Sequence, residues 1–349
     1  MRQTKSSNHS AAGAARFSET AAVKVLITDH PWPDVEIEAS ICESAGHELI
    51  AGPIEALPEA QVDELVAHHQ PHAIMCCWAP VSKAAIESPP DLRIVARLGV
   101  GLDNIAIPSA SARGAWVTNV PDYSVEEVSD HAIAMLLAHW RGIVHFDREA
   151  KRGRWEPATA RLTRTSNTTV GVIGYGRIGV ATARKLSQGF RSRVLATSPS
   201  LLRTHAPGDE VQPNVFVASL EQIQQQADAI TLHLPLTTAS KHLMNDDFFN
   251  ACRRAPILVN VSRGGLVDND ALIRALDTGL VRGAALDVIE GEPSPPREII
   301  DRSDVIVTPH VAFSSAASLE ELRRRCTEEV VRVLRGDRPL HACNEPRHA

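Results

Sequence analysis

The sequence has no charge excess of either sign large enough to suggest a polyelectrolyte partner, no long apolar run and no regular cysteine spacing. Each absence removes a class of function. Its 349 residues carry 36 Lys and Arg against 42 Asp and Glu, a net charge of −6. Nucleic-acid and anionic-membrane surfaces need a basic excess, so neither partner is expected. No apolar stretch approaches the roughly 20 residues that span a bilayer. The six cysteines (Cys42, Cys76, Cys77, Cys252, Cys326 and Cys343) form no CxxC pair. Zinc sites and disulfide frameworks both require regular spacing, so no metal is expected, and reduced, mostly buried thiols in a cytoplasmic protein are. Residues 1–22 lack the apolar centre of a secretory signal and read as a mobile tail.

What is present is an alternation of short apolar runs and helical stretches. At roughly 150 residues per domain the length suits two domains. Residues 23–28 (VKVLIT), 73–77 (AIMCC) and 94–98 (IVARL) read as buried strands. A helix over 37–45 ends at Gly46. Ser124 and Glu127 have the S-x-x-E spacing of a capping box ahead of a helix over 128–140. Further strands are predicted at 167–173, 193–196, 229–234, 257–261, 283–288 and 305–308, with a helix over 270–278 before Gly279. Strand–helix alternation of this kind predicts an α/β fold: two doubly wound parallel-sheet domains, Rossmann- or flavodoxin-like, with a cleft between them.

Gly174-x-Gly176-x-x-Gly179 sits directly between a predicted strand and a predicted helix. The first glycine makes a tight turn, the second lets backbone approach a pyrophosphate, and the third lets helix pack on strand. Free N–H groups at the helix start favour the phosphates, and Arg177 adds a charged donor. The next strand would normally end in an acid that binds the adenosine ribose; here it runs into Thr197-Ser198-Pro199. Without that acid nothing repels a 2′-phosphate, and Arg203 follows closely, so NADP or dual use is favoured over NAD alone. Arg263 follows the strand ILV, Asp287 ends GAALDV with Glu292 beyond it, and His310 follows VIVTP. Ligands bind at the C-terminal edge of open α/β sheets, so these groups meet if their strands are parallel neighbours. An Arg fork for a carboxylate and a His beside a carboxylate form the equipment for reducing a 2-keto acid.

At these residues the chain resembles the D-isomer-specific 2-hydroxyacid dehydrogenase family. The resemblance rests on 98–104 (LGVGLDN), 174–179 (GYGRIG), 260–268 (NVSRGGLVD), 285–293 (ALDVIEGEP) and 308–310 (TPH), and covers almost the whole chain after the tail. Within the family, Val120-Pro121, residues 124–127 and the TPHVAF stretch are similar to the branch that holds the C-terminal-binding protein corepressors and many bacterial dehydrogenases. The resemblance implies a discontinuous substrate domain, 23–120 plus 310–349, and a dinucleotide-binding domain, 121–309. It implies catalytic roles for Arg263 on the substrate, His310 as acid–base and Glu292 as its partner. It further implies that Gly174, Gly176, Arg177, Ile178, Gly179, Ser198, His233, Leu234, Pro235, Val261, Ser262 and Asp287 meet the cofactor, Asp287 through the nicotinamide carboxamide. Gly99, Val100 and Gly101 would offer N–H groups to the substrate.

Two departures stand out: Ser198 where NAD users of the family commonly have Asp, and Ser314 where the branch often has Tyr. Trp78 and Phe313 are expected either to face the substrate tail or to pack the core. The loop 76–80 carries no Arg or Lys, which disfavours a phosphorylated substrate. The helix over 128–140 is apolar on more than one face, and in the family the corresponding helices form a homodimer contact. The alternatives to a D-2-hydroxyacid dehydrogenase are a non-catalytic NAD(H)-sensing protein and a same-fold enzyme acting on a phosphonate or other oxyanion.

Overall fold

Five strands, Val23–Ile27 (β1), His47–Ala51 (β2), Ala73–Cys76 (β3), Ile94–Arg97 (β4) and Trp116–Thr118 (β5), form one parallel sheet in the order β2-β1-β3-β4-β5. The computed structural model describes residues 22–346, so the expected tail lies almost wholly outside it. A second sheet holds Thr169–Ile173 (β6), Arg193–Thr197 (β7), Glu210–Gln212 (β8), Val215–Val217 (β9), Ala229–Leu232 (β10), Ile257–Asn260 (β11), Gly283–Leu286 (β12) and Val305–Val307 (β13). Its order is β13-β12-β11-β10-β6-β7-β9-β8, parallel except for the β8–β9 hairpin. Strand order reverses between β1 and β3 in the first sheet and between β6 and β10 in the second, which is where doubly wound folds bind ligands.

The central strands are legible in sequence because they are covered on both faces. Every residue of β3, β4, β10, β11 and β12 is buried, so each reads as a mainly apolar run. The edge strand β2, HELIA, is half exposed and carries polar residues, and the pattern missed it. Predicted ends shift by one or two residues: β6 starts at Thr169, β10 stops at Leu232 and β12 at Leu286. The helix after the glycine motif is regular only over Arg177–Arg184 and widens into a π turn over Lys185–Gly189.

The chain leaves the first sheet after β5 and enters the second through the helix Val125–Trp140. It returns after β13 through a loop that ends at Ser315, the N-cap of the helix Ala316–Leu334. That helix packs on β3, β4 and β5 and on the helix Glu36–Ser44, its Leu322, Cys326, Val330 and Val333 entering the first sheet's core. It is locked there by Arg323, whose Nε and Nη2 donate to the two oxygens of fully buried Glu38, each at 2.8 Å. Trp32 lies 5.3 Å from the same guanidinium.

The expected capping box at Ser124 does not form. Ser124 occupies the N-cap position without a side-chain cap bond, and Glu127 instead accepts the Ser315 hydroxyl at 2.7 Å. A box closes only if the fourth residue turns back on its own helix, and here a partner from the returning chain takes that carboxylate.

Arg323→Ala strands Glu38 as an uncompensated buried charge. Its expected cost is about 3–5 kcal/mol in denaturant unfolding. A loss below about 1 kcal/mol, the worth of a surface pair, would show that the lock is unimportant.

Candidate active site

A cleft of about 660 Å³ opens between the C-terminal edges of the two sheets. On the second sheet's side the glycine turn borders it through Gly176, while Gly174 and Gly179 do not line it. Gly174 has φ +97°, and a Cβ there would run into the His233 carbonyl, while one on Gly179 would meet the Gly174 carbonyl. These two glycines are demanded by backbone packing. Gly176 is different: a Cβ there would meet nothing within 4 Å, so the open space lies on the ligand side. Arg177 and Ile178 at the helix start line the cleft, as do His233, Leu234 and Pro235 after β10. His233 Nε2 lies 2.9 Å from Thr231 Oγ1, but its buried Nδ1 has no partner. Burial pushes this imidazole down to about 3, so it is neutral at any physiological pH. The glycine cradle, the open face at Gly176 and the orphaned Nδ1 together fit a dinucleotide.

Ser198 follows β7 beside this turn, where the Gly174 N–H donates to the Thr197 carbonyl at 2.9 Å. Its hydroxyl caps the short helix Pro199–Thr204, accepting from Leu201 N at 3.1 Å. Val261 and Ser262 follow β11 and line the cleft. Buried Asn260 shapes the next turn, accepting from Ser262 N and donating to the Arg263 carbonyl at 2.8 Å.

Arg263 reaches across the gap. Its Nε donates to Asp103 Oδ1 at 3.1 Å, and its Nη2 packs so closely on Gly101 that a Cβ there would overlap it. Burial alone would raise the Asp103 carboxyl, but the adjacent guanidinium outweighs that and holds it below its ordinary value. Gly99, Val100 and Gly101 line the same wall, and Gly99 has φ +152°.

His310 stands at φ +53° on the loop after β13, its Nδ1 3.0 Å from Glu292 Oε1. A carboxylate only accepts, so Nδ1 carries the hydrogen and Nε2 is left for the cleft. Glu292 sits behind the imidazole and does not line the cavity. Asp287, with 1% of its side chain exposed, underlies this loop. It accepts from Thr308 Oγ1 at 2.6 Å, Val311 N at 2.9 Å and Ala312 N at 3.0 Å, and still borders the cleft.

Trp78 and Phe313 both face the cleft, 6.0 Å apart, and Trp78 stands 4.5 Å from the His310 ring. The expectation of a wall without cations needs correcting. The loop 76–80 has none, but Arg97 from the end of the neighbouring strand lines the cavity, 5.6 Å from the Trp78 ring. It is 6% exposed, its Nε has no partner, and the adjacent thiols of Cys76 and Cys77, pushed up by burial to about 12, stay neutral.

Three residues outside the expected set also shape the site. Asp103 orients Arg263, and Tyr123 lines the cleft beside the first crossing between the sheets. Fully buried Asp29 accepts from the backbone N–H groups of Cys77, Trp78 and Ala79 at 2.6–3.1 Å. Only the turn-prone Asp29-His30-Pro31 marked that position in sequence.

Residues 133–312 match the family profile described as "D-isomer specific 2-hydroxyacid dehydrogenase, NAD binding domain". The chain belongs to the D-isomer-specific 2-hydroxyacid dehydrogenase family. It is 35% identical over 271 residues to a glyoxylate reductase of Korarchaeum cryptofilum, covering 76% of this chain and 80% of that one. It is 35% identical over 257 residues to the chloroplastic D-3-phosphoglycerate dehydrogenase 2 of Arabidopsis thaliana, 73% of this chain and 40% of the relative. Among solved structures, the NADPH-dependent glyoxylate/hydroxypyruvate reductase of Sinorhizobium meliloti, in complex with NADP and malonate, superposes with a TM-score of 0.77 at 27% identity, covering 94% and 100%. This family member is thus an oxidoreductase with a Rossmann-type nucleotide-binding sheet. Among the described residues no helix is long and apolar enough to cross a membrane.

Gly101→Ala is expected to displace the Arg263 guanidinium. Binding of oxamate, a planar carboxylate probe, should weaken about tenfold or more through loss of the bidentate fork, with the unfolding midpoint little changed. Unaltered oxamate affinity would mean that the Gly101–Arg263 contact does not shape the site.

Proposed function

We propose that this enzyme reduces a small 2-keto acid to the D-2-hydroxy acid with a nicotinamide cofactor. The observation that carries the reading is that Arg263 and the Glu292-backed His310 face one cleft with the glycine turn. The reduced nicotinamide, when bound, supplies a hydride to the keto carbon. Arg263 and the N–H groups of Val100 and Gly101 hold the substrate carboxylate, the expected Gly99 N–H being taken by the Arg97 carbonyl at 2.9 Å, and Arg263 offsets the negative charge that builds on the keto oxygen. His310, protonated at both nitrogens, gives its Nε2 proton to that oxygen and returns a neutral imidazole, while Glu292 keeps the ring oriented. His310 then regains a proton from solvent. Asp287 is assigned to the nicotinamide carboxamide, since Oδ2 accepts a single N–H and retains capacity.

On this reading residues 121–309 bind cofactor, and 23–120 with 310–349 bind substrate. Ser198 in place of an acid supports NADP or dual use, and Arg97 faces the tail of the substrate, favouring a polar or anionic one. The free thiols, five of them buried, suit a reducing cytoplasm.

A homodimer is also proposed, on a surface other than the one first expected. The apolar residues of Val125–Trp140 are largely buried within the chain itself. The following helix Ile143–Lys151 has no buried residue, Ile143 is 57% exposed and Trp155 84% exposed. Large apolar residues left in water in this way suit a two-fold contact.

The deciding experiment is a panel of 2-keto acids with NADH and NADPH in parallel. Turnover is expected with at least one keto acid, NADPH serving at least as well as NADH. His310→Ala should lower kcat about 10²–10⁴-fold with cofactor binding retained. Cofactor that binds without being oxidised by any keto acid would favour the sensing alternative and end this one. For assembly, Trp155→Ala combined with Ile143→Asp should halve the mass in sedimentation. A wild-type monomer at micromolar concentration would remove the dimer.

A further inference from the structure

The residue that fails to close a capping box has a different partner, and it does not act alone. Glu127 and His131 lie four residues apart on the helix Val125–Trp140, hence on one face and one turn apart. Glu127 Oε1 accepts the Ser315 hydroxyl at 2.7 Å. His131 Nε2 lies 2.9 Å from Thr308 Oγ1 and 3.6 Å from Asp287 Oδ1. Residues 308 and 315 are the two ends of the loop that carries His310 and Phe313. The same face of one helix therefore grips that loop at both ends.

The direction of the bonds follows from the donor count. The Thr308 hydroxyl has one proton, and at 2.6 Å it goes to the Asp287 carboxylate, which can only accept. Thr308 Oγ1 must then accept from His131, which fixes the hydrogen of that ring on Nε2. Beyond Asp287 the chain of bonds continues into the Val311 and Ala312 N–H groups, and the His310 N–H donates to the Asp287 carbonyl at 2.8 Å. At the other end, Ser315 also accepts from Ser318 N at 3.0 Å, so Glu127 holds the residue that starts the returning helix.

We propose that Glu127 and His131 are positioning residues: a two-point clamp that holds the left-handed turn presenting His310 to the cleft. Neither lines the cavity, so each acts through the loop. The helix that supplies them begins at Ser124, directly after the first crossing between the sheets, and Ser124 and Val128 themselves border the cleft. The clamp thus ties the orientation of the proton donor to the segment joining the lobes.

The test uses the full chain with Glu127→Ala, His131→Ala and two conservative variants that keep the hydrogen-bonding atom, Glu127→Gln and His131→Gln. Its kinetic arm rests on the reductase reading above; its exchange arm does not. Each alanine variant should lower kcat about tenfold to a hundredfold, the scale of a small misplacement of a reacting group. KM for the keto acid and the Kd of the cofactor should stay near wild type, and the glutamine variants should recover most of kcat. Amide hydrogen exchange across residues 308–315 should quicken in the alanine variants and not in the glutamine ones. Alanine variants with wild-type kcat and unchanged exchange overturn the clamp. So does a loss of kcat, cofactor affinity and unfolding midpoint together with no rescue by glutamine, since that marks a merely structural role. If the wild-type chain reduces no keto acid, the reductase reading fails, and exchange alone decides: faster exchange limited to 308–315 supports the clamp, and unchanged exchange sinks it.

Discussion

The imidazole at residue 310 rides on a turn that a buried carboxylate holds in shape. A non-glycine residue in the left-handed region costs about 1–2 kcal/mol, and an ionised carboxylate out of water costs several kcal/mol unless it is satisfied. Asp287 resolves both at once. Its oxygens take two backbone N–H groups and a hydroxyl, and hydrogen bonds to a charged group contribute about 1.5–3 kcal/mol each. Three such bonds outweigh the strain of one turn. The rest of the catalytic side depends on that balance, because Glu292 meets His310 only when the turn points the ring toward it. Hydride transfer is the cofactor's chemistry, and the protein's share is orientation of this kind.

Charge is distributed unevenly across the cleft. On the nucleotide side His233 is held neutral by burial, leaving recognition to backbone dipoles and Arg177. On the opposite side two guanidinium groups converge. Arg263 is balanced by Asp103, while Arg97 sits among neutral thiols and an indole face, with Asp29 as the carboxylate that acts on it and the Leu98 carbonyl accepting from its Nη1. A cation in that setting attracts an anion far more strongly than it would in water. An acidic ligand therefore finds one wall already committed to it.

Much of this was legible in the chain itself, and the exceptions have physical reasons. Strands buried on both faces stand out as apolar runs, and the glycine motif between β6 and its helix announces its own geometry. Arg263, Glu292 and His310 follow strand ends, so a parallel sheet gathers them without further assumptions. Asp29 and Arg97 escaped because their roles are tertiary. Nothing adjacent to Asp29 reveals that three amides nearly 50 residues away will bond to it. Arg97 reads as the polar end of a strand until the neighbouring loop is seen to leave it facing the cavity. Glu127 misled for the opposite reason: its local spacing matched a motif, and a residue 188 positions later won the contact. Local rules hold until a distant partner offers better geometry.

The helix Ala316–Leu334 covers a sheet made of residues translated roughly two to three hundred positions before it. On the ribosome, the first five strands emerge with one apolar face only partly covered, by the helix Glu36–Ser44, and Glu38 without its guanidinium. The second sheet, drawn from one continuous stretch, has all its strands before that cover exists. Order of synthesis and order of completion are therefore reversed: the lobe born first is the one finished last. Until Arg323 arrives, the nascent chain leaves Glu38 unpaired and part of that apolar face in water.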